Sequence, residues 1–205
     1  MQFYKKTSMA KSNSIFLTLI NFKLRHICVF SIKKLMKSKE NLVILGMMGS
    51  GKSSIGLLIA KKLKLNFIDI DKEIEKELSL SISKIFEIKG EDFFRKFEEK
   101  ITLKKLKLCS VVISLGGGAF TNKNVRQEVL KNHISFWLNW NNETLLNRIK
   151  NSKKRPLAFN STKNELIDLI KKRSNTYSKA LYEIKCDNLS KNEIVKNILK
   201  AHETN

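Results

Sequence analysis

The sequence is short of cysteine, histidine and glycine, and the first two shortages exclude familiar kinds of site. Its three cysteines, at positions 28, 109 and 186, lie far apart without a C-x-x-C pair, so neither a disulfide framework nor a zinc site is expected. The three histidines are equally isolated, which argues against a catalytic or ligand role. Only eight of the 205 residues are glycine, so any cluster of glycines needs an explanation.

The N-terminal 40 residues are poor in acidic side chains and lack any apolar run long enough to cross a bilayer. They contain nine of the 40 Lys and Arg but one of the 19 Asp and Glu. The apolar patch SIFLTLINF is far shorter than the roughly 20 residues that a membrane-spanning helix needs. We interpret residues 1–40 as a basic extension, either disordered or upstream of a true start at Met36; a transit-like leader is the alternative. We expect one domain at 41–205, no membrane partner and a cytoplasmic location.

The formal net charge of +21 has two readings, binding of nucleic acid and neutralisation of small anions such as ATP. Beyond residue 40 much of the excess is spread along helices as Lys beside Glu, as in DKEIEKEL, which is typical of solvated faces. No nucleic-acid recognition motif is visible, so we predict no nucleic-acid partner.

Four of the glycines fall in the stretch NLVILGMMGSGKSSIG, residues 41–56, and three of them lie within six residues. Gly46, Gly49, Gly51, Lys52 and Ser53 satisfy the phosphate-loop pattern G-x-x-x-x-G-K-[ST] between a strand-like and a helix-like run. Glycine permits positive φ and close approach of backbone N–H groups to an anion, and the following helix adds its positive end. The alternative is a glycine-rich turn that binds nothing. We predict an ATP site in which Lys52 reaches the β- and γ-phosphates and Ser53 coordinates Mg²⁺, with the loop contributed by Gly49, Ser50, Gly51, Lys52, Ser53 and Ser54.

From residue 41 onward, strand and helix patterns alternate. Strands are predicted at 42–45, 66–71, 110–115, 134–138 and 182–186. Helices are predicted at 52–63, 72–79, 81–88, 91–107, 123–131, 142–150, 164–179 and the C-terminus. This alternation indicates an α/β fold with a parallel sheet and helices on both faces, whose ligands collect at the carboxyl ends of the strands.

Three further groups follow the strands. Asp69 and Asp71 are separated by one residue, so at a strand end both would point to the same side; N-capping of the next helix is the alternative. Arg95 and Glu98 are three apart and share a helix face, as an ordinary surface ion pair would. Three consecutive glycines, 116–118, follow the strand VVISL and suggest close backbone approach by a ligand.

Taken together and in order, G-x-x-G-x-G-K-S, D-x-D, G-E-x-x-F-R-x-x-E, L-G-G-G-A and a later R-P-L resemble the shikimate kinase family over roughly residues 41–187. The resemblance implies the nucleoside monophosphate kinase fold, with a five-stranded parallel sheet and a mobile lid near 151–164. It implies ATP-dependent phosphorylation of the 3-hydroxyl of shikimate, with Mg²⁺ as cofactor. We expect a monomer whose partners are the small molecules shikimate and ATP.

The resemblance also implies roles for individual residues. Asp71 would bind the shikimate hydroxyls and act as base, while Asp69 would hold Mg²⁺ through water. Arg95, oriented by Glu98, would clamp the shikimate carboxylate together with Arg173, and Gly117 would bind a ring hydroxyl through its backbone. In the nucleotide half, Lys52 and the lid residue Arg155 would act on the phosphates, and Arg148 would stack on adenine.

The sequence departs from the family at one place. Arg173-Ser174-Asn175-Thr176-Tyr177 stands where the family often has R-x-P-L-Y, which puts the local helix geometry in question more than the role of the arginine. Two other functions remain open: a P-loop kinase for another small polyol such as gluconate, which should lack the arginine pair, and a non-catalytic basic nucleotide-binding protein.

Overall fold

Five short strands form one parallel sheet in the computed structural model, which describes residues 40–150 and 162–204. The strands are β1 (Leu42–Leu45), β2 (Asn66–Asp69), β3 (Val111–Ser114), β4 (Ile134–Asn139) and β5 (Tyr182–Lys185). Their order across the sheet is β2-β3-β1-β4-β5, and every neighbouring pair is parallel. The predicted fold class, a five-stranded parallel sheet, is therefore confirmed.

Seven helices are described around this sheet. They are α1 (Lys52–Leu63), α2 (Ile70–Leu78), α3 (Ile82–Leu106), α4 (Lys123–Asn132), α5 (Asn142–Lys150), α6 (Lys163–Tyr177) and α7 (Lys191–Glu203). A single 3₁₀ turn, Ala119–Thr121, precedes α4. Within the described ranges, no helix is long and apolar enough to cross a membrane.

Alternation along the strands divides the core between the two faces of the sheet. Leu42 and Ile44 of β1 pack in one buried cluster, to which α1 and α7 contribute. Val43 and Leu45 belong to the other cluster, which is covered by α2 to α6. Successive side chains of a strand point to opposite faces, so a fully apolar strand needs helices on both sides.

Two boundaries differ from the sequence predictions. The strand predicted over 66–71 ends at Asp69, because the Asp69 side chain accepts hydrogen bonds from the backbone N–H groups of Asp71 and Lys72 and so begins α2. The helices predicted at 81–88 and 91–107 form the single element α3, bent at Gly90, where φ is 77° and ψ is 173°. The predicted extension at 1–40 lies outside the described residues except for Glu40. Residues 151–161 of the predicted lid also lie outside the described residues.

Candidate active site

The phosphate loop joins β1 to α1 at the carboxyl end of the central strand. Gly49 (φ 82°) and Gly51 (φ 87°) take the positive φ values that the motif predicts. The ammonium group of Lys52 donates to the carbonyl oxygens of Gly46 (3.0 Å) and Met47 (3.1 Å). The lysine is thus folded over its own loop, with its charge held where an anion would enter.

A cleft of about 460 Å³ opens beside this loop. Of the predicted ATP-binding residues it is lined by Gly49, Gly51, Lys52, Ser53 and Ser54. Ser50 does not line it, and its side chain is buried. The hydroxyl of Ser50 has no hydrogen-bond partner among the residues that the structure describes.

The two aspartates play different structural parts. Oδ1 of Asp69 accepts from the N–H of Asp71 (3.1 Å) and of Lys72 (3.4 Å), so Asp69 is the N-cap of α2. Asp71 lies one residue inside that helix and lines the cleft, whereas Asp69 does not. The expectation that both carboxylates sit on a strand end and point to one side is therefore wrong. The alternative prediction, that the aspartate is the N-cap of the next helix, is confirmed for Asp69.

Arg95 is held between two carboxylates on α3. Its Nη1 donates to Oε2 of Glu98 at 2.7 Å, and its Nε and Nη2 both donate to Oε1 of Glu91 at 3.0 Å. Glu98 is only 3% exposed. Arg95 and Glu98 both line the cleft, so the ion pair is not an ordinary surface pair.

The pKa values of this pair reflect burial and charge acting in opposite directions. Burial raises the pKa of Glu98; the guanidinium of Arg95 opposes this only in part, and the carboxylate of Asp71 adds to it. Burial also tends to lower the pKa of Arg95, but Glu98 and Glu91 outweigh it and the net shift is upward. Arg95 therefore stays charged, as a residue that binds a carboxylate must.

The three glycines after β3 allow side chains to pack against the backbone. A Cβ on Gly118 would overlap the guanidinium of Arg95, and one on Gly116 would overlap Glu98 and lie 2.8 Å from Oδ1 of Asp71. At Gly116 and Gly118 the close approach predicted for a ligand is thus made by protein side chains. Gly117 lines the cleft between them.

Arg173 and Tyr177 of α6 complete the predicted substrate side. Arg173 is buried and lines the cleft, with Nη1 at 3.7 Å from the sulfur of Met47. The hydroxyl of Tyr177 donates a hydrogen bond to the carbonyl oxygen of Gly117. Burial raises the pKa of Tyr177 to about 12. The helix is continuous through Asn175 and Thr176, so the departure from R-x-P-L-Y leaves the arginine and the tyrosine on one face.

One predicted nucleotide residue, Arg148, lies apart from the cleft. The guanidinium carbon of Arg148 is 3.7 Å from the centroid of the Trp140 ring, and Arg148 does not line the cleft. Arg155 lies outside the described residues.

Sequence reasoning missed the apolar wall of the substrate side. Ile82, Phe86 and Phe94 line the cleft, and the Phe86 and Phe94 rings are 4.6 Å apart across the bend at Gly90. The guanidinium carbon of Arg95 is 5.1 Å from the centroid of Phe94. The run EDFFRKF contained Phe94, but a contact with Phe86 depends on the bend and has no signal in the sequence.

The oxygen donors at the phosphate end suit Mg²⁺. No group of three or more His, Cys, Asp or Glu that could hold a metal occurs in the described part of the chain. Mg²⁺ is usually bound by one or two protein oxygens together with phosphates and water. The hydroxyl of Ser53 lines the cleft and supplies one such oxygen, and the carboxylate of Asp69, the N-cap of α2, lies outside the lining and would reach the ion through water.

Comparisons with known proteins agree with this arrangement. A family model described as shikimate kinase matches residues 48–203. The chain is 36% identical over 181 residues to a shikimate kinase of Bartonella quintana, covering 86% of each. It is 39% identical over 173 residues to one of Bacillus subtilis, covering 80% of this chain and 89% of that one. Among solved structures, the shikimate kinase of Acinetobacter baumannii in complex with shikimate matches with a TM-score of 0.78 and 30% identity, covering 83% of this chain and 97% of that one.

Proposed function

The chain belongs to the shikimate kinase family, and from this membership we propose that its cleft transfers the γ-phosphoryl group of ATP to the 3-hydroxyl of shikimate. The product, shikimate 3-phosphate, is an intermediate of aromatic amino-acid biosynthesis. The observation that supports the site assignment best is that one cleft is lined both by the phosphate loop and by the predicted substrate-binding residues Asp71, Arg95, Gly117 and Arg173.

The nucleotide half positions the phosphates. The N–H groups around Gly49 and Gly51 and the N-terminus of α1 offer donors to the β- and γ-phosphates of ATP. Lys52 would exchange its two loop carbonyls for phosphate oxygens. Ser53, with Asp69 acting through water, would hold Mg²⁺, which neutralises charge on the phosphates.

The substrate half orients the hydroxyl that reacts. Arg95 and Arg173 present planar guanidinium groups to the shikimate carboxylate, and Glu98 fixes the orientation of Arg95. The N–H of Gly117 would bind a ring hydroxyl, while its carbonyl is held by Tyr177. Asp71 would accept the proton of the shikimate 3-hydroxyl while the hydroxyl oxygen forms a bond to the γ-phosphorus and the bond from that phosphorus to ADP breaks. Arg155 of the lid would stabilise the charge of the transferring group, and Arg148 would stack on adenine.

A coupled ADP-release assay across shikimate, quinate, gluconate and adenylate tests this proposal. We expect turnover with shikimate and none with gluconate, which has a carboxylate but no ring to place against Phe86 and Phe94. Preference for gluconate would support the other polyol kinase, and no turnover with any acceptor would support a non-catalytic nucleotide-binding protein.

Replacing Arg95 tests the carboxylate clamp within the same assay. Arg95→Ala should raise the KM for shikimate by an amount equivalent to about 2–5 kcal/mol of lost binding, with the KM for ATP unchanged. Arg95→Lys should recover little, because a point charge lacks the planar fork. Lys96→Ala is the matched control, since Lys96 is an exposed cation on the same helix. An effect of Arg95→Ala on ATP binding alone would show that Arg95 does not serve the substrate side.

A further inference from the structure

Trp140 contacts both the phosphate loop and Arg148. It follows the last residue of β4 and packs against the buried clusters on both faces of the sheet, so its ring is held by the core. Its indole Nε1–H donates to the carbonyl oxygen of Ser50, 90 residues away in the phosphate loop, at 2.9 Å. Arg148 of α5 lies over the same ring, at 3.7 Å from its centroid.

The segment that carries Trp140 is fixed from the neighbouring strand as well. The carboxylate of Asp187, in the loop after β5, accepts from the N–H of Asn141 at 3.1 and 3.2 Å. The side chain of Asn141 in turn accepts from the N–H of Thr144 at 2.7 Å and so caps the first turn of α5. Both the indole and the helix bearing Arg148 are therefore anchored at one end of β4.

The hydrogen bond to Ser50 also fixes a donor of the phosphate loop. No described peptide bond is cis, and in a trans peptide the C=O and N–H point in opposite directions. Holding the carbonyl of Ser50 therefore sets the direction of the N–H of Gly51, a residue that lines the cleft. Without the indole, the Ser50–Gly51 peptide would lose one of the contacts that define its plane.

We propose that Trp140 is a nucleotide-positioning residue, which holds the phosphate loop through its indole N–H and holds Arg148 against its ring for the adenine base. The proposal rests on the proposed function, because it takes ATP as the ligand of the loop and Arg148 as the partner of its base. Trp140 acts through these two groups and supplies no catalytic group of its own. One side chain thereby couples the binding of the phosphates to that of the base.

The test separates the two contacts by using a ligand with a base and one without. Mg-ADP and Mg-tripolyphosphate are titrated calorimetrically into the full-length protein. Trp140→Phe keeps a ring for Arg148 but removes the N–H, so it should weaken both ligands alike, by about 3–10-fold, the usual range for one neutral hydrogen bond. Arg148→Ala should weaken ADP and leave tripolyphosphate unchanged. Trp140→Ala should weaken ADP more than Trp140→Phe does.

Trp137→Phe is the matched control. Trp137 is the other tryptophan of the chain, buried beside Tyr177, and its replacement should leave the affinity for both ligands unchanged. In this variant Trp140 is the sole tryptophan, and its fluorescence should change when ADP binds. In steady-state assays Trp140→Phe should raise the KM for ATP with the KM for shikimate unchanged, a split that a general loss of structure would not produce.

The outcomes distinguish this inference from the proposed function. If Trp140→Phe binds ADP and tripolyphosphate as tightly as the unmodified protein, the inference is overturned even where shikimate is phosphorylated. If it weakens ADP alone, the hydrogen bond to Ser50 has no positioning role and the inference is likewise overturned. If the variants bind the two ligands with the expected differences but the unmodified protein does not phosphorylate shikimate, the proposed function fails and the inference stands.

Discussion

At the scale of single residues, the buried Tyr177 joins the substrate loop to α6. Its hydroxyl donates to the carbonyl of Gly117, and its ring contacts Trp137 with centroids 6.1 Å apart. Phe at this position would remove that hydrogen bond. A hydrogen bond of this kind contributes about 0.5–1.5 kcal/mol to stability.

The raised pKa of Tyr177 predicts a loss of stability at alkaline pH. The phenol ionises near pH 10 in the unfolded chain and at about 12 in the folded protein. The folded state therefore keeps a proton that the unfolded state releases, so the free energy of unfolding falls as pH rises from 10 towards 12, by about 1.4 kcal/mol per pH unit at most. Urea unfolding at intervals from pH 9 to 11.5 measures this slope.

The variant Tyr177→Phe should lack that part of the slope, so the stability difference between it and the unmodified protein should shrink above pH 10. Tyr182→Phe is the control, because Tyr182 lies at the start of β5 and is only partly buried. Parallel stability curves for the unmodified protein and Tyr177→Phe would contradict the assignment of this titration to Tyr177.

Substitutions of Asp69 and Asp71 should have different kinetic effects. Asp71→Asn should lower kcat by about 10²-fold or more if Asp71 is the general base. Asp69→Asn should raise the Mg²⁺ requirement while stability stays unchanged, because Asn caps a helix as well as Asp does. Measuring kcat against Mg²⁺ concentration, with thermal unfolding as a check, resolves both effects. Small and equal changes in kcat would show that neither carboxylate takes part in the reaction.

At the scale of elements, α3 brings two parts of the substrate side together by bending at Gly90. Phe86 lies before the bend and Phe94 and Arg95 after it, and all three line the cleft. The φ of 77° and ψ of 173° fall in a region that only glycine adopts readily. The bend therefore depends on this residue, and the aromatic contact depends on the bend.

Gly90→Ala should destabilise the protein by about 1–3 kcal/mol through backbone strain alone. A Cβ at this position meets nothing within 4 Å, so no steric clash contributes. The KM for shikimate should rise as well, because straightening α3 separates Phe86 from Phe94. Lys100→Ala, an exposed helical site on the same element, should change neither quantity. Urea unfolding and shikimate titration provide the measurements, and an unaltered stability would mean that the bend has another cause.

The elements were largely predictable from the sequence, and the contacts between them were not. Strand β1 and helices α1 and α5 have the predicted bounds, since apolar periodicity and the phosphate-loop glycines are local signals. The end of β2 was not predictable, because NFIDID alternates as a strand does while Asp69 acts as a cap. The partnership of Trp140 with Ser50 depends on which strands are neighbours, and so it appears only in the fold.

At the scale of the whole molecule, every predicted site residue except Arg155 falls within the described ranges of 40–150 and 162–204. We therefore expect removal of residues 1–35 to leave kcat and both KM values nearly unchanged. The truncated chain would begin at Met36, before the first core strand. Comparison of the two purified proteins in the ADP-release assay checks this, and loss of soluble, active enzyme would show that the N-terminal segment belongs to the functional unit.

The glycines after β3 also restrict how this molecule can change over evolutionary time. A Cβ at Gly116 would collide with Glu98, and a Cβ at Gly118 would collide with Arg95. A replacement at either position would therefore displace the charged end of its partner side chain, and loss of the partner first removes the ion pair of the cleft. Either order of change therefore disturbs the ion pair at its first step. These glycines and their charged partners should be inherited or replaced as a unit, in lineages that keep the reaction and in those that exchange it for another acceptor.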